Sequence, residues 1–236
     1  MVEYLILDYN RPKEARILLE SLKEKSHFDY SVSYLSNGGE QEYVKELEKE
    51  GLIDNLILNS RNTGCGAGTI QLFAQCQTEY AFYIQVDHIL HLPLQKENIV
   101  EFIHLLQAPK VAYLDLAGNQ AQGKYSERAQ FINTRFYNAI PKTIGGPGPW
   151  THITWTEKCV QEFLQANDLS FTSVAPIIFR DTGRVSIRSN PDGSKWKQES
   201  DTKKLWMLKA PTVQYVYPYF TDEEWKGVLE NKEWEP

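Results

Sequence analysis

The sequence predicts an α/β fold with a mostly parallel sheet and helices on its faces. Short apolar runs alternate with helical patterns over roughly the first 90 residues, and the connections between them are short. Polar or glycine-rich residues follow the predicted strands. Strands and helices that alternate in this way form right-handed crossovers, and the carboxyl ends of the parallel strands then border one crevice. We therefore expect a ligand site at that edge of the sheet.

The first strand is predicted at residues 2–7, which are almost all apolar, as in strands that are covered on both faces. Pro12 suits the first turn of a helix, and the apolar residues up to Leu22 recur at helical spacing. The next predicted elements are a strand at 31–35, a helix at 41–50, a strand at 56–58, a helix at 69–76 and a strand at 81–86. A glycine-rich loop, 59–68, precedes the third helix.

The regular alternation ends soon after residue 90. A helix is predicted at 99–106 and a strand at 111–116, whereas residues 118–150 have the composition of a loop. A helix at 156–165 is followed by short strand-like pieces and turns. We predict one compact domain with a regular half, 1–117, and a less regular half, 118–236.

Composition excludes several classes of protein. Of the 236 residues, 42% are hydrophobic and 24% are charged, as in ordinary globular proteins. With no apolar run of about 18 residues and no leader pattern, we expect a cytoplasmic protein without a membrane span. The three cysteines predict reduced thiols. A net charge of −6 disfavours nucleic acid as a partner, although a basic segment at 180–209 leaves that partner open. The oligomeric state is not predicted.

Four motifs occupy the ends of the predicted strands. They are Asp8, Tyr9, Asn10, Arg11 and Pro12; Ser36, Asn37, Gly38 and Gly39; Asn59, Asn62, Gly64 and Gly66; and Tyr83 to His88. Together they resemble the corresponding motifs of family-two-like glycosyltransferases, which have a glycosyltransferase A (GT-A) fold. The resemblance covers roughly residues 2–90. It implies a nucleotide-sugar-binding half, 1–117, and an acceptor-binding half, 118–236.

The resemblance implies a nucleotide site built from the first three motifs. Tyr9, Asn10 and Arg11, with Asp8 beside them, would form the base slot together with Asn37. Asn37 stands where the family often has an acidic residue that accepts the uracil N3 proton. Because an amide both donates and accepts, the base identity stays open. A capped helix start at Arg11 and a turn at Asn37 are the structural alternatives.

The glycine-rich loop is interpreted as a phosphate site. Gly64 and Gly66, with Asn62, would let the backbone approach the donor's diphosphate near the start of a helix. The spacing is not that of a Walker loop, since no Gly-Lys-Ser/Thr sequence occurs.

The fourth motif falls where the family has its Asp-x-Asp metal site. Asp87 would ligate a divalent metal, manganese or magnesium, that neutralises the leaving diphosphate. Gln85 replaces the first acidic residue, and His88 is a further candidate ligand. Positions 85 and 87 would point to the same side of one strand. A structural cap is the alternative role of Asp87.

The acceptor half has fewer interpretable positions. Asp181 is the predicted catalytic base for the acceptor hydroxyl, and His152 in the loop that follows Gly145 to Trp150 is a second catalytic candidate. The predicted function is transfer of a sugar from a nucleoside-diphosphate donor to an acceptor hydroxyl. Three alternatives stay open: a nucleotidyltransferase, disfavoured by the absence of glycine from 8–12; a catalytically impaired module that binds nucleotide sugar or glycan; and a sugar transferase acting on nucleic acid.

Overall fold

A computed structural model describes residues 1–117, 128–139, 153–174, 176–181 and four short strands beyond them. The chain forms two compact units, Met1–Arg180 and Asp181–Pro236. In the second unit, β12 (Ile187–Ser189) pairs antiparallel with β13 (Lys195–Lys197), and β14 (Met207–Lys209) pairs antiparallel with β15 (Gln214–Val216).

The elements of the first unit confirm the predicted alternation of strands and helices. In chain order they are β1 (Val2–Asp8), α1 (Pro12–Lys25), β2 (Ser26–His27), β3 (Tyr30–Ser36), α2 (Glu42–Lys49), β4 (Asn55–Leu58), α3 (Cys65–Gln75), β5 (Tyr80–Gln85) and β6 (His88–Leu90). They continue with β7 (Leu94–Gln95), α4 (Lys96–Leu106), β8 (Val111–Asp115), β9 (Gln130–Asn133), α5 (Thr134–Ala139), α6 (Ile153–Ala166) and β10 (Ser170–Ser173). The last strand, β11 (Phe179–Asp181), ends one residue into the second unit.

The central sheet has seven strands in the order β10-β8-β9-β5-β1-β3-β4. Strand β1 is central and pairs in parallel with β3 and β5, and β4 continues the parallel pairing beside β3. Strand β9 is antiparallel to both β5 and β8. A mostly parallel sheet was predicted, and the order confirms it. The antiparallel β9 and helix α5 lie within 118–150, so the prediction of loop for that whole segment is wrong.

The two faces of the sheet carry separate hydrophobic cores. Side chains alternate along β1, so Tyr4 and Ile6 join one core whereas Leu5 and Leu7 join the other. Helices α1 and α4 contribute to the first core, and α3 contributes Leu72 to the second. Both faces are therefore covered, which is why β1 is almost continuously apolar.

Glu3, a charged residue near the start of β1, is nevertheless buried. Glu3, 1% exposed, accepts hydrogen bonds from the Ser33 hydroxyl, from the Gln77 backbone N–H at 2.9 Å and from Cys76 Sγ at 3.2 Å. These bonds join β1 to β3 and to the chain that follows α3. Its role is structural, because its partners satisfy the buried carboxylate within the protein.

Two boundaries differ from the prediction in ways that affect the site. Helix α3 begins at Cys65 rather than Thr69, so Gly66 and Gly68 are helical. A Cβ on Gly68 would lie 2.7 Å from Leu7 Cδ1, which shows how closely α3 packs on β1. Strand β5 ends at Gln85, and Asp87 lies in the following turn. The expectation that positions 85 and 87 share one side of a strand is therefore wrong.

Candidate functional site

The loops after the parallel strands meet at one edge of the sheet. Backbone hydrogen bonds join them: Asn37 N donates to Asp8 O at 2.8 Å, and Val86 N donates to Leu7 O at 3.2 Å. Asn59 N donates to Ser36 O at 3.0 Å. The predicted convergence of these loops is therefore present, and it brings the four sequence motifs together.

A partly buried ion pair joins the first motif to the fourth. Arg11 Nη1 lies 2.8 Å from Asp87 Oδ2, and the two side chains are 18% and 14% exposed. His88 Nδ1 lies 3.2 Å from the other carboxylate oxygen, Oδ1. Burial raises the pKa of Asp87, but the hydrogen bond and charge of His88 and those of Arg11 outweigh it and hold the pKa well below its usual range. Asp87 is therefore an anion whose Oδ2 accepts a hydrogen bond from Arg11, whereas its Oδ1 accepts none from the described residues.

Arg11 itself is held at the start of α1. Its backbone N–H donates to the Tyr43 hydroxyl at 3.2 Å. Burial lowers the pKa of its guanidinium, but the adjacent Asp87 carboxylate reverses that effect and the net shift is upward. The ion pair uses one of the five guanidinium N–H donors, and the other four make no hydrogen bond to the described residues.

Asp8 lies beneath these loops. It is 1% exposed and accepts a hydrogen bond from the Tyr43 hydroxyl. Burial raises its pKa to about 6, against the opposing effect of the Tyr43 hydrogen bond. Tyr43 thus contacts both Asp8 and the Arg11 backbone. This role was missed because Tyr43 reads in sequence as an apolar residue of an amphipathic helix.

Asn37 is a buried connector of the glycine-rich loop. It is 2% exposed, and its Oδ1 accepts from Asn59 Nδ2 at 3.0 Å, from Thr63 N at 3.1 Å and from Thr63 Oγ1 at 2.8 Å. Its Nδ2 donates to Asn62 Oδ1 at 3.2 Å and to Gly64 O at 3.0 Å. The amide that was predicted to read a base is fully engaged inside the protein. The contribution of Thr63 could not be predicted from spacing.

The other residues predicted to bind the nucleotide differ in exposure and backbone conformation. Tyr9 is half-buried, and Asn10 is exposed with a left-handed φ of 56° and an Oδ1 that accepts from Glu40 N at 3.3 Å. Gly64 precedes α3 with a φ of 87°, a conformation that favours glycine. Gly66 lies in the first turn of α3 and is buried. Helix α3 therefore begins directly after the residue whose carbonyl oxygen accepts from Asn37.

The candidate metal ligands lie close to other protein groups. Asp87 is paired with Arg11, Gln85 Nε2 lies 3.7 Å from Cys65 Sγ, and His88 Nδ1 lies 3.2 Å from the Gln85 carbonyl oxygen. No group of three histidine, cysteine or acidic side chains with metal-binding geometry occurs among the described residues. A single carboxylate already neutralised by a guanidinium does not match the oxygen-rich ligand sets that manganese and magnesium take.

The two predicted catalytic residues lie at the limit of the described residues or beyond it. His152 lies outside the described residues. Asp181 is the last residue of β11, and its side chain is not described. Most of the basic segment 180–209 also falls outside the described ranges. In the described part of the chain, no helix has the length and apolar character needed to cross a membrane.

Solved structures have a fold similar to that of this chain. A mannosyltransferase of Pyrobaculum calidifontis, solved with GDP-Man and Mn²⁺, matches 80% of this chain and 58% of its own at a TM-score of 0.57 and 8% identity. Residues 1–349 of TarS from S. aureus match 77% of this chain and 61% of theirs at a TM-score of 0.53 and 13% identity. The chain has a glycosyltransferase A fold. It spans about three fifths of the length of these GT-A structures. No protein-family model and no curated protein matches the sequence.

Proposed function

We propose that this GT-A protein is a glycosyltransferase that moves a sugar from a nucleoside-diphosphate donor to an acceptor hydroxyl. The observation that carries the proposal is the meeting of four polar loops at the carboxyl edge of β1, β3, β4 and β5, with the Arg11 guanidinium among them. In open α/β sheets this edge is where ligands bind. The resemblance of the chain's fold to solved GT-A transferases supports a nucleotide sugar as that ligand.

Sugar transfer requires stabilisation of the leaving diphosphate and correct positioning of the acceptor more than it requires a covalent intermediate. The acceptor oxygen attacks the anomeric carbon, the bond to the donor phosphate breaks, and the nucleoside diphosphate leaves with added negative charge. Arg11 can meet that charge through its unused N–H donors. The first turn of α3, after Gly64, offers backbone N–H groups to a phosphate. We assign Tyr9 and Asn10 to the base side of the donor.

The acceptor is assigned to the half that follows residue 117. A general base must take the acceptor's proton, and Asp181 and His152 are our candidates from sequence. The proposal covers hexosyl and pentosyl donors alike. Hydroxyl-bearing small molecules or glycans are the acceptor class, and nucleic acid is disfavoured by the net charge of −6.

Metal assistance at Asp87 stays a prediction from the sequence. The mannosyltransferase with the same fold was solved with Mn²⁺, but at 8% identity this likeness concerns the fold alone. The pairing of Asp87 Oδ2 with Arg11 also favours a second candidate function, a non-catalytic module that binds nucleotide sugar. Both functions require nucleotide binding, and they differ in donor turnover.

The test is a ligand screen followed by a turnover assay. A nucleoside diphosphate or nucleotide sugar at about 100 times its Kd should stabilise the protein by about 2.7 kcal/mol, which a thermal-shift panel of UDP, GDP, CDP and their sugars detects. Release of UDP or GDP from the bound sugar then separates a transferase from a binder. If no member of the panel raises the melting temperature, the proposed function is wrong.

A matched control is Arg135→Ala. Arg135 is 82% exposed on α5, where it lies 3.9 Å from Glu79, so its loss should leave nucleotide binding unchanged. Arg11→Ala should reduce the ligand-induced shift instead, because it removes the cation at the sheet edge.

A further inference from the structure

We propose that Arg11, held in place by Asp87, is the resident cation for the donor's diphosphate, and that nucleotide binding needs no divalent metal ion. This inference rests on the proposed function, because it concerns the same donor site. It departs from the metal prediction, which assigns Asp87 to a metal and Arg11 to the base. In the structure these two residues are partners of each other.

The first support is the charge balance at Asp87. One oxygen, Oδ2, accepts a hydrogen bond from Arg11 Nη1 at 2.8 Å. The other, Oδ1, lies 3.2 Å from His88 Nδ1 and accepts no hydrogen bond from the described residues. A divalent ion at this carboxylate would have to displace the guanidinium or lie against it. Displacement leaves a largely buried cation without its anion, and juxtaposition places like charges together. Both outcomes oppose metal binding at this position.

The second support is the state of the other candidate ligands. The Gln85 amide faces Cys65 Sγ, and Asp8 is buried and bound to the Tyr43 hydroxyl. His88 is 2% exposed, with Nδ1 directed at the Gln85 carbonyl oxygen and at Asp87. Within the described ranges, no second carboxylate lies beside Asp87 to complete a hard-cation site.

The third support is what Arg11 can still do. Its hydrogen bond to Asp87 uses one N–H, and its backbone N–H is fixed by Tyr43. A guanidinium anchored on one side presents its other donors in a fixed fork, which matches the paired oxygens of a diphosphate. Asp87 is in this scheme a positioning residue, since it orients Arg11 and does not itself touch the nucleotide.

The main experiment needs no variant. Binding of UDP and of GDP to the full chain is measured by calorimetry, once in EDTA and once in manganese chloride. We expect the nucleotide that binds to show Kd values within about threefold of each other in the two conditions, a difference of less than about 0.7 kcal/mol in binding free energy. Manganese alone, followed by its electron paramagnetic resonance signal, should show no site on the protein.

Variants separate positioning from folding. Arg11→Lys keeps the charge without the fork and should weaken UDP or GDP binding in EDTA by about tenfold, whereas uridine or guanosine binding should be unchanged. The double substitution of Arg11→Met with Asp87→Asn removes both charges together, so no unpaired charge is left buried. It should fold and lose the diphosphate contribution, and manganese should not restore it. Arg135→Ala is the control for loss of an arginine.

The outcomes distinguish this inference from the proposed function. If UDP or GDP binds only with manganese, and a manganese signal on the protein disappears in Asp87→Asn, the inference is overturned and the proposed function stands. If no nucleotide of the thermal-shift panel binds under either condition, both fail. If the double variant binds UDP or GDP in EDTA as tightly as the unaltered chain, Arg11 is not the resident cation.

Discussion

Replacing Asn37 with alanine should destabilise the protein rather than only weaken its ligand binding. The side chain makes five hydrogen bonds within the site loops. Some partners keep another bond after the change: Asn59 Nδ2 also donates to Gln71 Oε1, and Gly64 O also accepts from Gly68 N. The Thr63 backbone N–H loses its acceptor. An orphaned buried donor costs about 1–3 kcal/mol, and the other lost bonds add to it.

We therefore expect Asn37→Ala to lower the free energy of unfolding by about 2–4 kcal/mol. In a chain of this size that corresponds to a fall of roughly 4–16 °C in Tm. The control is Asn55→Ala, because Asn55 is exposed and its Nδ2 makes one 3.2 Å bond to Ser33 Oγ. Its loss should cost less than about 1 kcal/mol.

Far-UV circular dichroism is the appropriate measurement for these variants. All six tryptophans lie at position 150 or later, so tryptophan fluorescence does not report on the loops around Asn37. Hydrogen exchange of residues 59–64 should also be faster in Asn37→Ala. Suppose instead that Asn37→Ala has the same melting temperature as Asn55→Ala and unchanged hydrogen exchange at 59–64, but binds nucleotide more weakly. Asn37 then contacts the base, and the argument that it stabilises the site loops is refuted.

Three further predictions concern stability. Gly38→Ala should lower the free energy of unfolding by about 2–4 kcal/mol, because a Cβ at φ +92° would lie 2.5 Å from Asn62 N. The control Gly51→Ala, at φ +72° with no atom within 4 Å of the added Cβ, should lower it by only about 1 kcal/mol; urea titrations measure both. Arg16→Ala removes a surface ion pair and should cost at most about 1 kcal/mol, less in high salt. The pKa of Asp8 is raised to about 6, so the folded state keeps this proton at pH values where the unfolded chain has lost it. The free energy of unfolding should therefore fall as the pH rises from about 4 to 6. A pH series of unfolding measurements on Asp8→Asn should lack that fall.

The regular half of the fold could be predicted because its strands are covered on both faces. Such strands read as short apolar runs, and β1, β3 and β5 lie within one or two residues of their predicted positions. Strand β9 was missed because a four-residue strand at 130–133, between segments of loop composition, gives no periodicity to detect. The two-residue strands β2 and β7 were missed for the same reason.

The location of the candidate site could also be predicted, but its internal bonds could not. Strand ends are local features, and the parallel topology brings them together. Which polar side chains face each other depends on tertiary contacts, such as the one between Arg11 and Asp87, which are 76 residues apart in sequence. The start of helix α3 was predicted too late because Gly66 and Gly68 are typical of loops in sequence. In the structure both are helical, and the absence of a side chain at Gly68 lets the helix pack closely on Leu7 of β1.

Polar groups at a sheet edge need partners even when no ligand is bound, and this limits which of them can add affinity. A ligand that bonds to a satisfied group must first break an internal hydrogen bond, so the exchange gains little. Asn37 is in that position, because its oxygen and its nitrogen are both used within the protein. Arg11 has one guanidinium N–H engaged, and Asn10 is exposed at the same edge. Discrimination among ligands should therefore come from Arg11 and Asn10, with Asn37 holding residues 59–64 where those contacts need them. A family motif identifies the loop, but only the bonds already made in the folded protein identify which of its side chains a ligand can use.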